Sequence, residues 1–270
     1  MFSYPLDLMI AAAVTASAVI TRIYAAPLVA MSKADGSPVT AADQAAEAEI
    51  LARLDATGIP ILAEESVAAG IVPELDGQFF CVDPLDGTKE FLKRNGEFTV
   101  NIALIEAGLP VMGVIVVPVT GAVFVGGPQG AFETTLVAGQ PGNWTPIHPL
   151  PTGPLRIMGS RSHGHAAMAD LCAQLAVSRN VSVGSSLKFC LLARGDAQLY
   201  PRFTPTSEWD TAAGQAILTA AGGAVLTLDG EPLRYGKREQ DFLNPFFVAA
   251  ATAELARATS RKMAQILAQR

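Results

Sequence analysis

The stretch Asp83-Pro84-Leu85-Asp86-Gly87-Thr88 places two carboxylates around a proline, followed by a glycine and a hydroxyl residue. It comes directly after Phe79-Phe80-Cys81-Val82, an apolar run typical of a buried strand. The proline lacks an N–H group and is expected to end that strand, and the glycine allows a tight turn. A helix can then begin at the threonine, so that both aspartates lie at a strand-to-helix junction beside unpaired backbone N–H groups.

This junction has the groups that metal-assisted phosphate chemistry requires. Carboxylates bind hard cations, and the N–H groups at the start of a helix bind phosphate oxygens. The stretch therefore predicts a site where a divalent cation assists a reaction at phosphorus. For this stretch taken alone, an aspartate-rich turn with no ligand is an equally good interpretation.

The composition limits the classes of protein to be considered. With 270 residues, half of them hydrophobic, the chain can form one large domain or two lobes that share a core. The formal net charge of −6 argues against non-specific binding of nucleic acid, which needs a basic surface. Cys81, Cys172 and Cys190 lack zinc-site spacing and have apolar neighbours, so we expect buried free thiols in a reducing compartment.

Two helices are predicted in the first part of the chain. The segment from Leu8 to Ile20 is apolar but shorter than a membrane span and lacks a basic leader, which favours a core helix over a signal peptide. Ala41 to Leu54 has helical spacing of its apolar residues. The predicted buried face of that helix consists of Ala45, Ala48, Leu51 and Leu54.

The remainder of the chain predicts mixed helices and strands. Val111 to Val125 reads as a hairpin, and the prolines between Pro146 and Pro154 indicate a linker. Beyond the linker, strands are expected near Leu155–Gly159, Val181–Gly184 and Ala197–Tyr200, and helices at Ala166–Ala176 and Trp209–Ala221.

Two more motifs accompany the first one in order along the chain: Ile61–Ser66, an apolar run that ends in Glu64-Glu65, and Glu208–Gly214, which opens a helix. Together the three motifs resemble the lithium-sensitive, magnesium-dependent phosphatase family that includes inositol monophosphatase. The longer run from Leu85 to Leu104 is similar to the bacterial bisphosphate nucleotidase branch, and the resemblance extends from about Lys33 to Pro245.

The resemblance implies an α+β fold, a layered α-β-α-β-α sandwich. Residues 1–150 would form the metal-binding and catalytic lobe and residues 151–270 the substrate-binding lobe, with the site between them. The segment from Leu8 to Ile20 would be the first helix of the metal-binding lobe.

The resemblance also implies two or three Mg²⁺ ions. Glu64, Asp83 and the carbonyl oxygen of Leu85 would hold one ion, while Asp83, Asp86 and Asp210 would hold a second. Carboxylates that converge in one cleft repel each other unless a cation lies between them. Asp210 also matches a capping box with Ser207, so capping a helix is an alternative for this residue that can coexist with metal binding.

The catalytic residues that the resemblance implies are Asp43, Glu64 and Thr88. These three side chains would orient the water that attacks phosphorus, a positioned proton transfer worth about 10²–10⁴-fold in rate. The amides of Gly87 and Thr88 would hold the phosphoryl oxygens. If the resemblance is set aside, Asp43 is a helix-start residue.

Lys188 and Arg202 are the expected partners of a second phosphate on the substrate, because each places a cation after a strand. Surface charge is the alternative for both. The full set of expected substrate contacts is Glu64, Leu85, Asp86, Gly87, Thr88, Ser160, Arg161, His163, Ser185, Ser186, Lys188, Arg202 and Asp210.

The expected activity is Mg²⁺-dependent removal of the 3′-phosphate from adenosine 3′,5′-bisphosphate, leaving AMP, with the related sulfated nucleotide as a second substrate in sulfate assimilation. An inositol or sugar monophosphatase is the nearest alternative, since Glu64–Gly70 reads more like the inositol branch. An inactive nucleotide or lithium sensor is an alternative of another class. We expect a monomer or homodimer without nucleic acid or an integral membrane segment, in the cytoplasm or peripheral on the inner face of the inner membrane.

Overall fold

A computed structural model of the chain describes residues 2–26, 30–32, 38–75, 77–160 and 165–270, with only the backbone described at residues 30–32, 38–39 and 160. The helices are α1 (Tyr4–Tyr24), α2 (Ala41–Leu54), α3 (Glu64–Ala68), α4 (Thr88–Leu92), α5 (Ala167–Gln174), α6 (Leu187–Arg194), α7 (Ala212–Ala221) and α8 (Ala253–Ala268). The strands before the linker are β1 (Ala30–Ser32), β2 (Pro38–Thr40), β3 (Ile61–Ala63), β4 (Gln78–Asp86), β5 (Thr99–Glu106), β6 (Leu109–Val117), β7 (Ala122–Gly127), β8 (Gly130–Val137), β9 (Gln140–Pro141) and β10 (Thr145–Pro146). Those after it are β11 (Arg156–Ser160), β12 (Arg179–Val183), β13 (Leu199–Arg202), β14 (Thr206–Ser207), β15 (Ala224–Thr227), β16 (Leu243–Asn244) and β17 (Phe247–Ala250).

Two sheets organise the molecule. The larger has the order β10-β8-β7-β6-β5-β4-β3, with β9 beside β8, and its neighbours are antiparallel except for the parallel pair β3 and β4. The smaller has the order β12-β11-β13-β17-β15, in which β11 runs parallel to both of its neighbours. Every strand of the larger sheet precedes the proline-rich linker and every strand of the smaller sheet follows it. A lobe boundary at residue 150 would fall in that linker, and it stays a prediction.

The helices form layers on and between these sheets. α1 and α2 cover one face of the larger sheet in a core that includes Met9, Ile50 and Val114. α6 and α7 lie between the sheets, and α5 and α8 pack on the outer face of the smaller one. This arrangement confirms the predicted α-β-α-β-α sandwich, because each sheet buries an apolar face against helices.

Helix α7 lies very close to the larger sheet. A Cβ atom added at Gly113 in β6 would come within 2.4 Å of the Ala213 carbonyl oxygen, and one at Gly126 in β7 within 2.4 Å of the Ile217 Cα atom. Both strands therefore require glycine, since any side chain would push the helix outward. This close packing sets the position of the turn before α7, which carries Asp210.

The first two helices match their predictions in position and differ in detail. α1 extends beyond the predicted segment at both ends, and its buried side chains pack in the core with α2. Within the described ranges it has the length and hydropathy of a membrane-spanning helix. α2 has the predicted bounds, but the predicted face is wrong, because Ala48 is exposed. The buried face consists of Ala42, Asp43, Ala46, Glu47, Ile50 and Leu54.

Three other expectations need correction, and one helix was not predicted. Pro84 does not end its strand: β4 continues to Asp86, and the proline lies where the register with β5 shifts, so no ladder bond is lost. α7 begins at Ala212 rather than at Trp209. The segment after Ser186 is a helix, α6, which the sequence analysis did not predict. Cys81 and Cys190 are buried as expected, but Cys172 is only half-buried.

Candidate active site

The end of β4 supplies the first two carboxylates of the site. Asp83 pairs with Asn101 on β5 and Asp86 pairs with Thr99, and the register shift between them turns both side chains into one region. Gly87 follows with a φ of 96°, a left-handed conformation that favours glycine, and α4 begins at the next residue as predicted. The bulge thus brings two aspartates from one strand to the same cleft.

Three carboxylates meet there. Asp83, Asp86 and Asp210 each offer an oxygen atom within 4.8 Å of the others. A backbone N–H group orients each carboxylate: Asp83 Oδ1 accepts from Leu85 at 3.0 Å, Asp86 Oδ2 from Ser186 at 2.6 Å, and Asp210 Oδ2 from Ser207 at 3.1 Å. These three carboxylates, which the family resemblance predicts to share a metal, lie together in the structure.

Asp210 comes from the turn that precedes α7. Burial is the main reason why its pKa lies well above the usual value, and the charges of Asp86 and Glu64 raise it further. The backbone N–H of Ser207 donates to the Asp210 carboxylate, which is one half of the expected capping box. The helix itself begins only at Ala212, with Thr211 at its N-cap position, so capping is not the principal role of Asp210.

Glu64 lies at the first position of α3, directly after β3, and is half-buried. It is not part of the three-carboxylate group, although its charge acts on Asp210. The donors fit a hard divalent cation, because all are carboxylate oxygen atoms and three of them lie within 4.8 Å of one another. Glu64 together with the three aspartates would hold such an ion, which would neutralise their charge and activate water.

Ser186 links Asp86 to the turn that carries Asp210. Its contact with substrate stays a prediction. Its hydroxyl oxygen lies 2.6 Å from Asp86 Oδ2 and 2.5 Å from the backbone carbonyl oxygen of Asp210, and it donates its single proton to one of them. The amide of Asn101 donates to this hydroxyl at 2.9 Å. Asn101 was not among the predicted site residues, although an amide inside the apolar strand β5 was a usable signal.

Asp43 and Thr88 are in contact as predicted, although they are 45 positions apart in the sequence. The Thr88 hydroxyl donates to Asp43 Oδ1 at 3.2 Å. The other oxygen, Oδ2, accepts from the backbone N–H and the hydroxyl of Thr40, at 2.8 and 2.6 Å, in a capping box at the start of α2. Asp43 therefore caps α2 and also accepts a hydrogen bond from the Thr88 hydroxyl.

Lys188 and Arg202 lie close together and are almost fully buried, with 4% and 8% of their surfaces exposed. The Lys188 ammonium donates to the carbonyl oxygens of Val183 and Ser185 and lies 5.2 Å from the centre of the Tyr200 ring. Burial lowers the pKa of Lys188 to about 8; the charge of Asp86 opposes this effect, and that of Arg202 adds to it. Surface charge, the alternative reading of both cations, is excluded by this burial.

The guanidinium of Arg202 contacts only uncharged groups among the described residues. It donates to the carbonyl oxygens of Thr204 and Pro205 and to the Tyr200 hydroxyl, at 3.1, 3.4 and 3.5 Å. It also lines a cavity of about 510 Å³ between α5 and the ends of β11, β12 and β13. His165 lines the same cavity and stacks on Phe203, with ring centres 5.4 Å apart.

The structure describes the other residues predicted to contact substrate to different extents. Arg161 and His163 lie outside the described residues, and Ser160 is described only by its backbone, which pairs with Val183 of β12. Ser185 has a left-handed φ of 47° and precedes Ser186 at the start of α6. Leu85 is buried, with its side chain in the core beside α1 and α2.

A buried ion pair supports the turn that carries Asp210. Glu208 is fully buried, and its carboxylate accepts from the backbone N–H groups of Gly236 and Lys237 and from the Lys237 ammonium, at 2.6, 2.9 and 2.6 Å. Asn244, in the strand β16 that follows this loop, donates to the Ser207 carbonyl oxygen. This support could not be predicted from the sequence, because Gly236 and Lys237 lie 28 and 29 residues beyond Glu208.

The model of the inositol monophosphatase family matches residues 5–268, and the chain belongs to that family, whose members are metal-dependent phosphatases. Among its relatives is the 3′(2′),5′-bisphosphate nucleotidase CysQ of Shigella flexneri, which is 47% identical over 82% of this chain and 88% of that protein. The CysQ protein of Escherichia coli K12 is 46% identical over the same shares.

Solved structures of the family agree with this assignment. A crystal structure of CysQ from Bacteroides thetaiotaomicron, 40% identical, superposes with a TM-score of 0.77 and covers 92% of this chain and 97% of that one. An inositol monophosphatase from Anabaena, 28% identical, gives a TM-score of 0.74 and covers 96% and 95%. The family resemblance inferred from the three motifs is thus confirmed.

Proposed function

We infer that this chain is a Mg²⁺-dependent 3′(2′),5′-bisphosphate nucleotidase that removes the 3′-phosphate from adenosine 3′,5′-bisphosphate, with the related sulfated nucleotide as a second substrate. The observation that carries the choice of substrate is the pair of buried cations, Lys188 and Arg202. Neither forms an ion pair with a carboxylate within the described chain, and a buried cation is costly without an anion. A second phosphate, remote from the reacting one, would supply that anion.

The position of these cations supports the same conclusion. Both lie close enough to the carboxylate cluster for Asp86 to affect the pKa of Lys188 and for Arg202 to affect that of Asp210. The cavity beside Arg202 has room for the nucleoside that joins two phosphates. An inositol monophosphate has neither a second phosphate nor a base, so these features would serve no purpose with it.

The residues at the other side of the cleft would handle the attacking water. Because the Thr88 hydroxyl donates its hydrogen bond to Asp43, its oxygen lone pairs remain to accept a hydrogen bond from water. Asp43 is held by Thr40, which prevents its rotation away from Thr88. The backbone amides of Gly87 and Thr88 are the proposed donors to the phosphoryl oxygens.

Four carboxylates alone would repel a phosphate, so catalysis requires a divalent cation at the cluster. We propose that two or three Mg²⁺ ions are held by Glu64, Asp83, Asp86, Asp210 and the carbonyl oxygen of Leu85. When bound, they supply charge neutralisation of the leaving oxygen and activation of water. The proposed substrate is a small anionic nucleotide. We also propose that the protein acts in the cytoplasm, as a monomer or homodimer.

Phosphate release from adenosine 3′,5′-bisphosphate and from inositol 1-phosphate tests the proposal. We expect kcat/KM to be much higher for the bisphosphate in the wild-type protein. Lys188→Ala should lower kcat/KM about 10- to 150-fold for the bisphosphate, the value of a charge-assisted hydrogen bond, and leave the monophosphate nearly unchanged. The ratio of the two values cancels general damage to the metal site. Equal losses on both substrates, or a wild-type preference for inositol 1-phosphate, would overturn the proposal.

A further inference from the structure

The buried face of α2 carries a second carboxylate, Glu47, one helical turn after Asp43. Only 5% of its surface is exposed. Side chains four residues apart on a helix lie on the same face, so α2 presents both acids to the interior. Asp43 contacts Thr88, whereas Glu47 has no contact with the reacting groups described above. A buried carboxylate is costly unless its oxygens accept hydrogen bonds, so the partners of Glu47 indicate what it does.

Those partners belong to α3, the short helix that begins with Glu64. Glu47 Oε2 accepts from the backbone N–H of Glu65 at 2.8 Å, and Oε1 accepts from the Ser66 hydroxyl at 2.6 Å. α3 lacks a capping side chain of its own, because Ala63 occupies its N-cap position. Glu47 therefore supplies, from another helix, the acceptor that the first turn of α3 would otherwise lack.

We propose that Glu47 is a positioning residue for the metal ligand Glu64, an inference that rests on the metal site of the proposed function. Glu64 is the first residue of α3, next to the N–H group that Glu47 holds. With two hydrogen bonds to consecutive residues, the Glu47 carboxylate fixes both the start and the rotation of this turn. It thereby sets the direction in which the Glu64 side chain leaves the backbone. α2 thus aligns both sides of the cleft, Thr88 through Asp43 and Glu64 through Glu47.

The test measures metal binding directly, without substrate. Mn²⁺ is titrated into the full-length protein and its free concentration is followed by electron paramagnetic resonance. Glu47→Ala should weaken Mn²⁺ binding about 10- to 100-fold, the usual effect of removing the support of a ligand. Glu47→Gln keeps an oxygen acceptor for the Glu65 N–H and should restore much of the affinity. Glu49→Ala is the matched control: Glu49 lies on the same helix, is 41% exposed and pairs with Arg53, and its loss should change nothing.

A second readout separates positioning from a general structural role. In activity assays, Glu47→Ala should raise the Mg²⁺ concentration needed for half-maximal activity far more than it lowers kcat at saturating Mg²⁺. If Glu47→Ala does not fold, Ser66→Ala removes one of the two hydrogen bonds with a smaller change, and its Mn²⁺ affinity should fall as well. Ser66→Ala combined with Glu47→Gln should cost less than the sum of the single changes, because the two side chains share one contact.

The outcomes distinguish this inference from the proposed function. If folded Glu47→Ala binds Mn²⁺ as tightly as the wild-type protein, the proposed role of Glu47 is overturned and the nucleotidase assignment stays intact. If Glu47→Ala does not fold, wild-type Mn²⁺ affinity in Ser66→Ala has the same meaning. Failure of the wild-type protein to bind Mn²⁺ overturns the metal site and this inference together. If the wild-type protein prefers inositol 1-phosphate and Glu47→Ala still weakens Mn²⁺ binding, only the choice of substrate is overturned.

Discussion

The depressed pKa of Lys188 predicts a specific dependence of substrate preference on pH. Burial lowers this pKa to about 8 in the protein without substrate. A phosphate dianion beside the ammonium favours the protonated form, so the pKa rises again when a bisphosphate binds. Above pH 8 the free protein must therefore take up a proton in order to bind the substrate. The kcat/KM for the bisphosphate should fall as the pH rises through that value.

The magnitude follows from the titration and from the value of the contact. At pH 9 about one tenth of Lys188 is protonated, so the loss approaches tenfold per pH unit. The decline in kcat/KM stops once the whole contribution of the charge-assisted hydrogen bond, about 1.5–3 kcal/mol, has been lost. This contribution corresponds to a total decrease in kcat/KM of about 10- to 150-fold. The second ionisation of a phosphate monoester has a pKa of about 6 and is complete before this range.

The assay is the ratio of kcat/KM for adenosine 3′,5′-bisphosphate to that for inositol 1-phosphate between pH 7 and 10. The ratio removes any titration in the metal site that affects both substrates. Lys188→Arg is the control, because an arginine stays charged throughout this range and should give a flat ratio. A flat ratio in the wild-type protein, or the same decline in Lys188→Arg, would show that Lys188 does not bind the second phosphate in its charged form.

Four other changes have defined outcomes. Asp83→Asn should reduce kcat below a tenth at saturating Mg²⁺ while the circular dichroism spectrum is retained, and a higher kcat would contradict the expected bridging of two ions. Asp210→Asn should abolish activity yet raise Tm in metal-free buffer, because it removes a charge whose burial is unfavourable; normal kcat would leave Asp210 only as a cap. Thr88→Ala should lower kcat about 10²–10⁴-fold and Thr88→Ser much less, whereas equal losses would exclude the hydroxyl as the relevant group. Gly126→Ala should lower the free energy of unfolding by about 1–3 kcal/mol in urea, because the added Cβ meets α7, and an unchanged midpoint would show that α7 can shift.

Short-range patterns in the sequence predicted the elements that carry the carboxylates. An apolar run followed by acidic residues is enough to predict a strand before Glu64 and a strand at Asp83, although β4 continues past Asp83 to Asp86, and the spacing of α2 predicted its bounds. The rule used for its buried face failed, because it assumes that the inward side is apolar. In α2 the inward side carries Asp43 and Glu47, and hydrogen bonds from other elements stabilise these acids there.

Contacts between distant segments could not be predicted from spacing. Ser186 and Asn101 are 85 residues apart, and nothing local shows that the amide of one reaches the hydroxyl of the other. The burial of Lys188 could not be predicted either, because a lysine between apolar residues is compatible with both an exposed and a buried helix. Its burial depends on how α6 packs between the two sheets, which only the assembled fold determines.

The site joins parts of the molecule that otherwise belong to different layers. Asp86 comes from the larger sheet, Asp210 from the turn before α7, and Ser186 from the start of α6, and a single hydroxyl lies between the first two. The pKa of Asp210 lies well above its usual value, mainly because the carboxyl group is buried and further because the charges of Asp86 and Glu64 are close to it. A divalent ion that these carboxylates bound only in the folded chain would contribute its binding free energy to the association of the layers. Such an ion would also stabilise the geometry that holds Lys188 and Arg202 beside the carboxylate cluster.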